Sequence, residues 1–422
     1  MTERPPASRF ISLALLAIVA PLACWVVVAA AGHSFLYNDF HDYWFAGRLL
    51  AAGHSPYDLG ALRALAMSEG DVFLLGTGFS YPLPFAFAMI PFGALPFDVA
   101  VTCFNALSLA AFGAAVAAWL VQLHPAAEPK RLRAVALLAG ALPPVIGSVL
   151  VGQVNLLIVG LLAPGVFTIL RPTKRALSGG VAIGLAAVVK LVPAVVLAPL
   201  WLAGRRSAVA GVVLGAGAPI AAAAILRPDA ILSGDPRYGL FSADAFFTNQ
   251  SINGFVSRLV ISTDRMGALA PGAFDALPVV VALTAALAAA TLAILWRSRG
   301  RLGDPEQLAI AVAFVLVGAT AGAPKTSFWN EALALPAAGL LLAVAAPRLT
   351  LGELGPADRF LFVAFVACLC LQPADWLVTP TPAGPAGPVT VALASLGLYG
   401  SLALWLLLGR TLVRRDLAVP LD

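Results

Sequence analysis

Charge is what this sequence has least of. Only 11% of its 422 residues are Asp, Glu, Lys or Arg, against about a quarter in a soluble domain. Hydrophobic residues make up 60%, and the mean hydropathy is +0.93. A chain of this length can bury a large core, but so few charges cannot cover that core in water. Soluble folds are excluded, and so is disorder, which requires low hydrophobicity and high charge. Cysteine and histidine are also scarce, with four of each. Cys24, Cys103, Cys368 and Cys370 all fall in apolar stretches, and none has metal-ligand spacing with a histidine. That excludes a disulfide framework and a Cys/His metal site, and we expect neither a metal nor a cofactor. No repeat with a period of roughly 20–50 residues is visible.

What is present is a succession of apolar segments, beginning at 10–31 and ending at 388–409. The segment at 83–122 is broken by Pro91 and Pro96, and the one at 176–203 by Lys190 and Pro193. This predicts an all-α, polytopic membrane bundle of about 10–13 helices, organised as one integral membrane domain over residues 1–422. The first segment has the charged start and small-residue end of a signal peptide. At about 22 residues it exceeds the usual signal core and matches a full span, so we read it as a retained helix.

The net charge of +5 does not point to nucleic acid. The basic residues gather in short clusters between apolar segments: Lys130, Arg131 and Arg133; Arg171, Lys174 and Arg175; Arg205 and Arg206; Arg297, Arg299 and Arg301; Arg410, Arg414 and Arg415. Such clusters mark cytoplasmic loops. With Arg4, Arg9, Arg348 and Arg359 added to that side, both termini are expected in the cytoplasm. Segments 32–82 and 227–276 become the two long non-cytoplasmic loops.

Those loops carry many of the chemistry-bearing residues. Asn38-Asp39-Phe40-His41-Asp42-Tyr43 follows the first span directly, at the level of a lipid headgroup. A carboxylate there suits a general base acting on a hydroxyl, or else a helix cap with Asp39 before a helix starting near Phe40. Asp39 and Asp42 alone, without a third ligand, do not make a metal site. Tyr81 lies in Phe79-Ser80-Tyr81-Pro82, which also reads as an aromatic interface anchor. Gln153 and Asn155 interrupt an apolar stretch, either to satisfy a helix turn or to offer hydrogen bonds to a sugar.

Lys190 is the sharpest single residue. It is flanked by apolar sequence on both sides, and a lysine at the centre of a span costs roughly 2.5–3.5 kcal/mol on insertion scales. Such a residue is expected to face a cavity or an anion, the alternative being a side chain that snorkels to an interface. Asn249, Gln250 and Asn253 lead into Arg258, whose guanidinium matches phosphate oxygens. The sequon Asn249-Gln250-Ser251 is read as incidental. Lys325, Asn330 and Glu331 bring a further base and acid to the same predicted face.

Taken in order, these residues resemble glycosyltransferase family 87. The resemblance rests on Asp39-Phe40 through Tyr43, Gly53-His54-Ser55-Pro56-Tyr57-Asp58, Tyr81-Pro82 and Gly152-Gln153-Val154-Asn155. It continues through Gly184-Leu185-Ala186 to Lys190-Leu191-Val192-Pro193, then from Asn249-Gln250-Ser251-Ile252-Asn253-Gly254 to Arg258. It implies the C-type glycosyltransferase architecture and transfer of a hexose, typically mannose, from a polyprenyl-phosphate donor. The acceptor would be a lipid or glycan on the non-cytoplasmic side of a bacterial inner membrane. In that reading Asp39 is the base of an inverting single displacement, and Lys190, Arg258 and Lys325 meet the donor phosphate. Asp42, Tyr81, Gln153, Asn155, Asn249, Gln250, Asn253, Asn330 and Glu331 line the substrate. One departure stands out: family members often carry histidines after the late-loop tryptophan, whereas Asn330 and Glu331 follow Trp329 here. The competing readings are a flippase for a lipid-linked saccharide, although no paired halves are visible, and a non-catalytic binder of the same donor.

Overall fold

The structure, a computed structural model, describes residues 7–32, 37–69, 78–123, 128–170, 175–232, 242–263, 266–334, 339, 355–371 and 387–414. Arg4, Arg171, Lys174, Arg237, Arg265, Arg348, Arg415, both chain termini and the apolar stretch 340–346 lie outside these residues. Helices dominate throughout. The described residues include one isolated β-bridge, between Asn249 and Ser327. The chain is an all-α polytopic membrane protein. It divides into two compact units, Met1–Ala194 with Ser207–Gly239, and Val195–Arg206 with Leu240–Asp422.

The first unit starts with α1 (Ala7–Ala31), α2 (Asn38–Ala51), α3 (Leu59–Ser68), α4 (Leu83–Gly93) and α5 (Phe97–Leu123). It continues with α6 (Pro129–Ala141), α7 (Pro143–Leu150), α8 (Asn155–Leu170) and α9 (Ala176–Val189). After the short α10 (Leu197–Leu202) of the second unit, α11 (Arg206–Leu226) and α12 (Pro228–Leu232) complete it. The second unit contains α13 (Ile252–Val260), α14 (Ala276–Ser298), α15 (Pro305–Gly322), α16 (Pro356–Leu371), α17 (Pro388–Leu393) and α18 (Leu396–Val413).

Among the described residues, α1, α5, α11, α14, α15 and α18 are long and apolar enough to cross a membrane, and α6 with α7 makes a seventh if that bent pair is one span. The 50° bend of the pair has a local cause. Leu142 precedes Pro143 and is extended (φ −64°, ψ 132°), the conformation a following proline favours. Segment 83–122 resolves into α4, whose 11 residues reach only about 17 Å, and α5 with 27, so only α5 can span. The apolar residues left exposed on α1, including Ile11, Leu15, Val19, Val26 and Val27, are those a bilayer would cover.

In the first unit α5 packs between α1 and α8, α9 lies on α8, and α2 packs across α4. Helices α9 and α11 approach closely. A Cβ on Gly180 would lie 2.9 Å from Gly211 Cα, and one on Gly184 would run into the Val212 carbonyl. The four-residue spacing of Gly180 and Gly184, and of Gly211 and Gly215, is the small-residue pattern that lets membrane helices meet. In the second unit α15 is the buried centre, enclosed over nearly its whole length from Gln307 to Ala321, with α14 and α18 packed on it.

Candidate functional site

The first unit builds its polar cluster on the turn between α7 and α8. Gly152 sits at φ +68°, a left-handed conformation that glycine adopts without strain. A Cβ there would lie 2.5 Å from Phe40 Cβ, so the turn can lie directly against α2. That contact is tied by the main chain: Asp39 N and Phe40 N donate to Val151 O at 3.0 and 3.2 Å, and Tyr37 N to Leu150 O at 2.8 Å. The orphan amides at the start of α2 are therefore satisfied by the α7–α8 turn. The expected Asp39 cap is not formed: α2 begins at Asn38 with Tyr37 before it and no side-chain cap. Tyr37 itself is left-handed (φ 61°, ψ 17°), a strained conformation for a bulky side chain.

Freed from capping, the Asp39 carboxylate accepts a hydrogen bond from Gln153 Nε2 at 2.5 Å. Gln153 Oε1 in turn accepts from the hydroxyls of Tyr43, at 2.5 Å, and Tyr81, at 2.8 Å, and from Val154 N at 3.0 Å. The two phenol oxygens are 2.7 Å apart. Asp39, Asp42 and Tyr43 fall at i, i+3 and i+4 on α2, which places them on one face. Burial holds the Tyr43 and Tyr81 phenols well above their usual titration range, and the charges of Asp39 and Asp42 add to the effect. Both phenols are donors at any physiological pH. Tyr57 joins through its hydroxyl, which donates to Tyr81 O at 2.8 Å.

Lys190 is not at the middle of a helix. Helix α9 ends at Val189 and Lys190 is extended (φ −149°, ψ 130°), before a 3₁₀ turn at Val192–Val196. The break follows from Pro193, which has no N–H to bond the Val189 carbonyl in a continuing helix. The Lys190 ammonium donates to Asn155 Oδ1 at 3.1 Å and stands 6.0 Å from the Tyr81 ring centroid. The Asp39 carboxylate is within electrostatic reach of it. The first unit thus brings together Asp39, Asp42, Tyr81, Gln153, Asn155 and Lys190, an acid and a base joined through neutral polar groups.

The second unit gathers the remaining candidates into a web of a different character. Arg258 is 1% exposed. Its guanidinium donates to Phe246 O at 3.0 Å, to Asn249 O at 2.7 Å and to Ser395 Oγ at 2.8 Å. The Asn249 amide donates to the Asp244 and Pro324 carbonyls, while its oxygen accepts from Ser251 and Thr326. Buried with both ends engaged, Asn249 is not an accessible glycosylation site. Gln250 donates to Ala394 O and accepts from Gly397 N. Asn253 bonds Ser242 O, Pro324 O, Asp244 N and Ser257 Oγ. These four side chains hold the loop before α13 against the segments at 324–327 and 394–397.

Lys325 is more open, with its side chain 58% exposed and its nitrogen 3.6 Å from Asp244 Oδ2, over the Phe246 ring. Asn330 and Glu331 are buried in the turn Phe328–Leu333. Glu331 accepts from Ser401 Oγ at 2.7 Å, its other oxygen has no hydrogen-bond partner among the described residues, and burial pushes its carboxyl up to about 8. Sequence reasoning left Tyr43, Tyr57, Asp244 and Ser395 out of the site. Tyr43 was signalled by its i+4 spacing from Asp39, and Asp244 and Ser395 by nothing in the pattern. Among the described residues no group of three or more His, Cys, Asp or Glu could hold a metal ion.

Residues 79–324, more than half of the chain, match glycosyltransferase family 87. The chain belongs to that family. It is accordingly a membrane glycosyltransferase, acting on a sugar donor and an acceptor at the membrane. The matched span takes in Tyr81, Gln153, Asn155, Lys190, Asn249, Gln250, Asn253 and Arg258, while Asp39, Asp42, Lys325, Asn330 and Glu331 fall outside it. No curated protein and no solved structure matches the chain.

Proposed function

We propose that this glycosyltransferase moves a hexose, mannose, from a polyprenyl-phosphate donor to a lipid or glycan acceptor on the non-cytoplasmic side of a bacterial inner membrane. The observation that carries this reading is the arrangement in the first unit, where a carboxylate and an ammonium lie in one polar cluster at the ends of apolar helices. A donor whose phosphate is anchored by a lipid chain meets protein at that level. Asp39 takes the proton of the acceptor hydroxyl as its oxygen attacks the anomeric carbon. The bond from that carbon to the phosphate oxygen breaks, its electron pair leaves with polyprenyl phosphate, and the configuration inverts.

Charge develops on the departing phosphate, where Lys190 stabilises it; a preorganised donor of this kind contributes about 10²–10³-fold in rate. We assign Asp42 and Tyr81 to the sugar. In the second unit Lys325 is an exposed cation beside Asp244. Arg258, Asn249, Gln250 and Asn253 we assign to holding the loop before α13, because their polar atoms already bond the chain. The test is transfer of label from radiolabelled polyprenyl-phosphate-mannose to membrane lipid extract by the purified protein in nanodiscs. Label in a new product with wild type and not with Asp39→Asn supports both donor and base. Full transfer by a correctly folded Asp39→Asn variant overturns the base assignment, and donor binding without turnover in either protein supports the non-catalytic reading.

A further inference from the structure

We propose that Gln153, oriented by Tyr43 and Tyr81, is a positioning residue that fixes the Asp39 carboxylate, and does not itself bind substrate. The inference rests on Asp39 being the base, and it begins from counting protons. An ionised carboxylate only accepts hydrogen bonds, and an amide presents donors at Nε2 and acceptor lone pairs at Oε1. Three oxygens, those of Tyr43, Tyr81 and Gln153 Oε1, lie within 2.5–2.8 Å of one another. Two phenolic protons serve that triangle. Whichever phenol donates to the other, at least one proton goes to Oε1, which also takes the Val154 N–H.

The oxygen side of the amide is thereby saturated, and a flipped amide would set Nε2–H against two phenols and Oε1 against a carboxylate. Only one orientation satisfies the cluster, and it points Nε2–H at Asp39. Donors on Oε1 also polarise the amide and strengthen its N–H as a donor. Gln153 is 3% exposed and its backbone is pinned as well, with Gln153 N bonded to Ser148 O at 2.7 Å. The sequence is therefore a chain of donation from two phenols to an amide and on to a carboxylate, anchored in the aromatic packing of Tyr43 on Phe85 and Phe104. The catalytic acid–base group is held at the end of a rigid polar strut, as a pre-organised site requires.

Infrared difference spectroscopy, with Asp39→Asn as the reference that removes the signal, reads the Asp39 carboxylate without any substrate. The expected result is a carboxylate band that moves in Gln153→Leu and moves less, in the same direction, in Tyr43→Phe, which deletes one oxygen and keeps the ring. In turnover of polyprenyl-phosphate-mannose, Tyr43→Phe should lower kcat about tenfold with donor KM unchanged. Gln153→Glu should move the acidic limb of kcat/KM to higher pH, since a second carboxylate beside Asp39 opposes ionisation of the pair. Identical bands in wild type, Tyr43→Phe and Gln153→Leu would overturn the inference. A shifted band together with an active Asp39→Asn enzyme would leave the strut standing and remove the base assignment instead.

Discussion

The ammonium nitrogen of Lys190 lies 3.1 Å from Asn155 Oδ1, so the residue that follows α9 is bonded to the first residue of α8. Asn155 is fully buried and neutral, which makes it a partner that orients the cation without cancelling its charge. An acid in its place would compete with the substrate for Lys190. Lys190→Met should therefore lower kcat by about 10²–10³-fold with no loss of thermal stability. Asn155→Asp should raise donor KM, because the phosphate must then displace an ion pair. Equal KM values for wild type and Asn155→Asp would remove Lys190 from the phosphate.

Arg258 is expected to act on folding rather than on the donor. Truncating it to Met leaves two buried carbonyls and a serine hydroxyl without their donor, and such losses cost about 1–3 kcal/mol per group. A planar fork with three simultaneous acceptors is not reproduced by an ammonium, so Arg258→Lys should recover only part of the loss. The measurement is thermal unfolding in detergent, and both variants should melt well below wild type. A lysine variant that melts like wild type yet binds donor poorly would return Arg258 to the phosphate.

How far the sequence is legible depends on which atoms do the bonding. The helical class follows from hydropathy alone, and the break at Lys190 from Pro193. Asp39 and Gln153 were both visible as polar residues in apolar surroundings, but 114 positions separate them, and no periodicity links residues that far apart. The Asp39 cap failed because the Val151 carbonyl, whose partner choice leaves no trace in residue type, takes the amides at the start of α2. Arg258 shows the same limit. An arginine that serves main-chain carbonyls has the same sequence appearance as one that waits for a phosphate, and only burial with its donors engaged separates the two.

Gly152 connects turn geometry to activity. Any side chain there meets two penalties, the left-handed φ of +68°, which costs roughly 1–2 kcal/mol, and the clash with Phe40 Cβ. Relief requires the α7–α8 turn to back away from α2, which loosens the Val151 bonds and moves Gln153 off Asp39. Gly152→Ala should lower thermal stability by about 2–3 kcal/mol and kcat by more than tenfold, whereas Gly204→Ala, also at positive φ but with open space around its Cβ, should show the backbone penalty alone. Full activity in Gly152→Ala would mean that the turn does not set the position of Asp39.

Glu331 predicts how stability depends on pH. Its carboxyl is raised from 4.5 to about 8 because burial penalises the ionised form, and the Ser401 hydrogen bond offsets only part of that. The folded state then binds one more proton than the unfolded chain between about pH 4.5 and pH 8, and stability must fall as pH rises through that window. The contribution is fully present below the unfolded value and is lost by the time the folded group ionises. A shift of this size corresponds to roughly 4–5 kcal/mol at most. Glu331→Gln keeps an acceptor for Ser401 and removes the titration, so the variant should melt close to wild type at pH 5 and distinctly higher at pH 9. Parallel melting curves for the two proteins across pH 5–9 would show that Glu331 ionises in the fold as easily as in water.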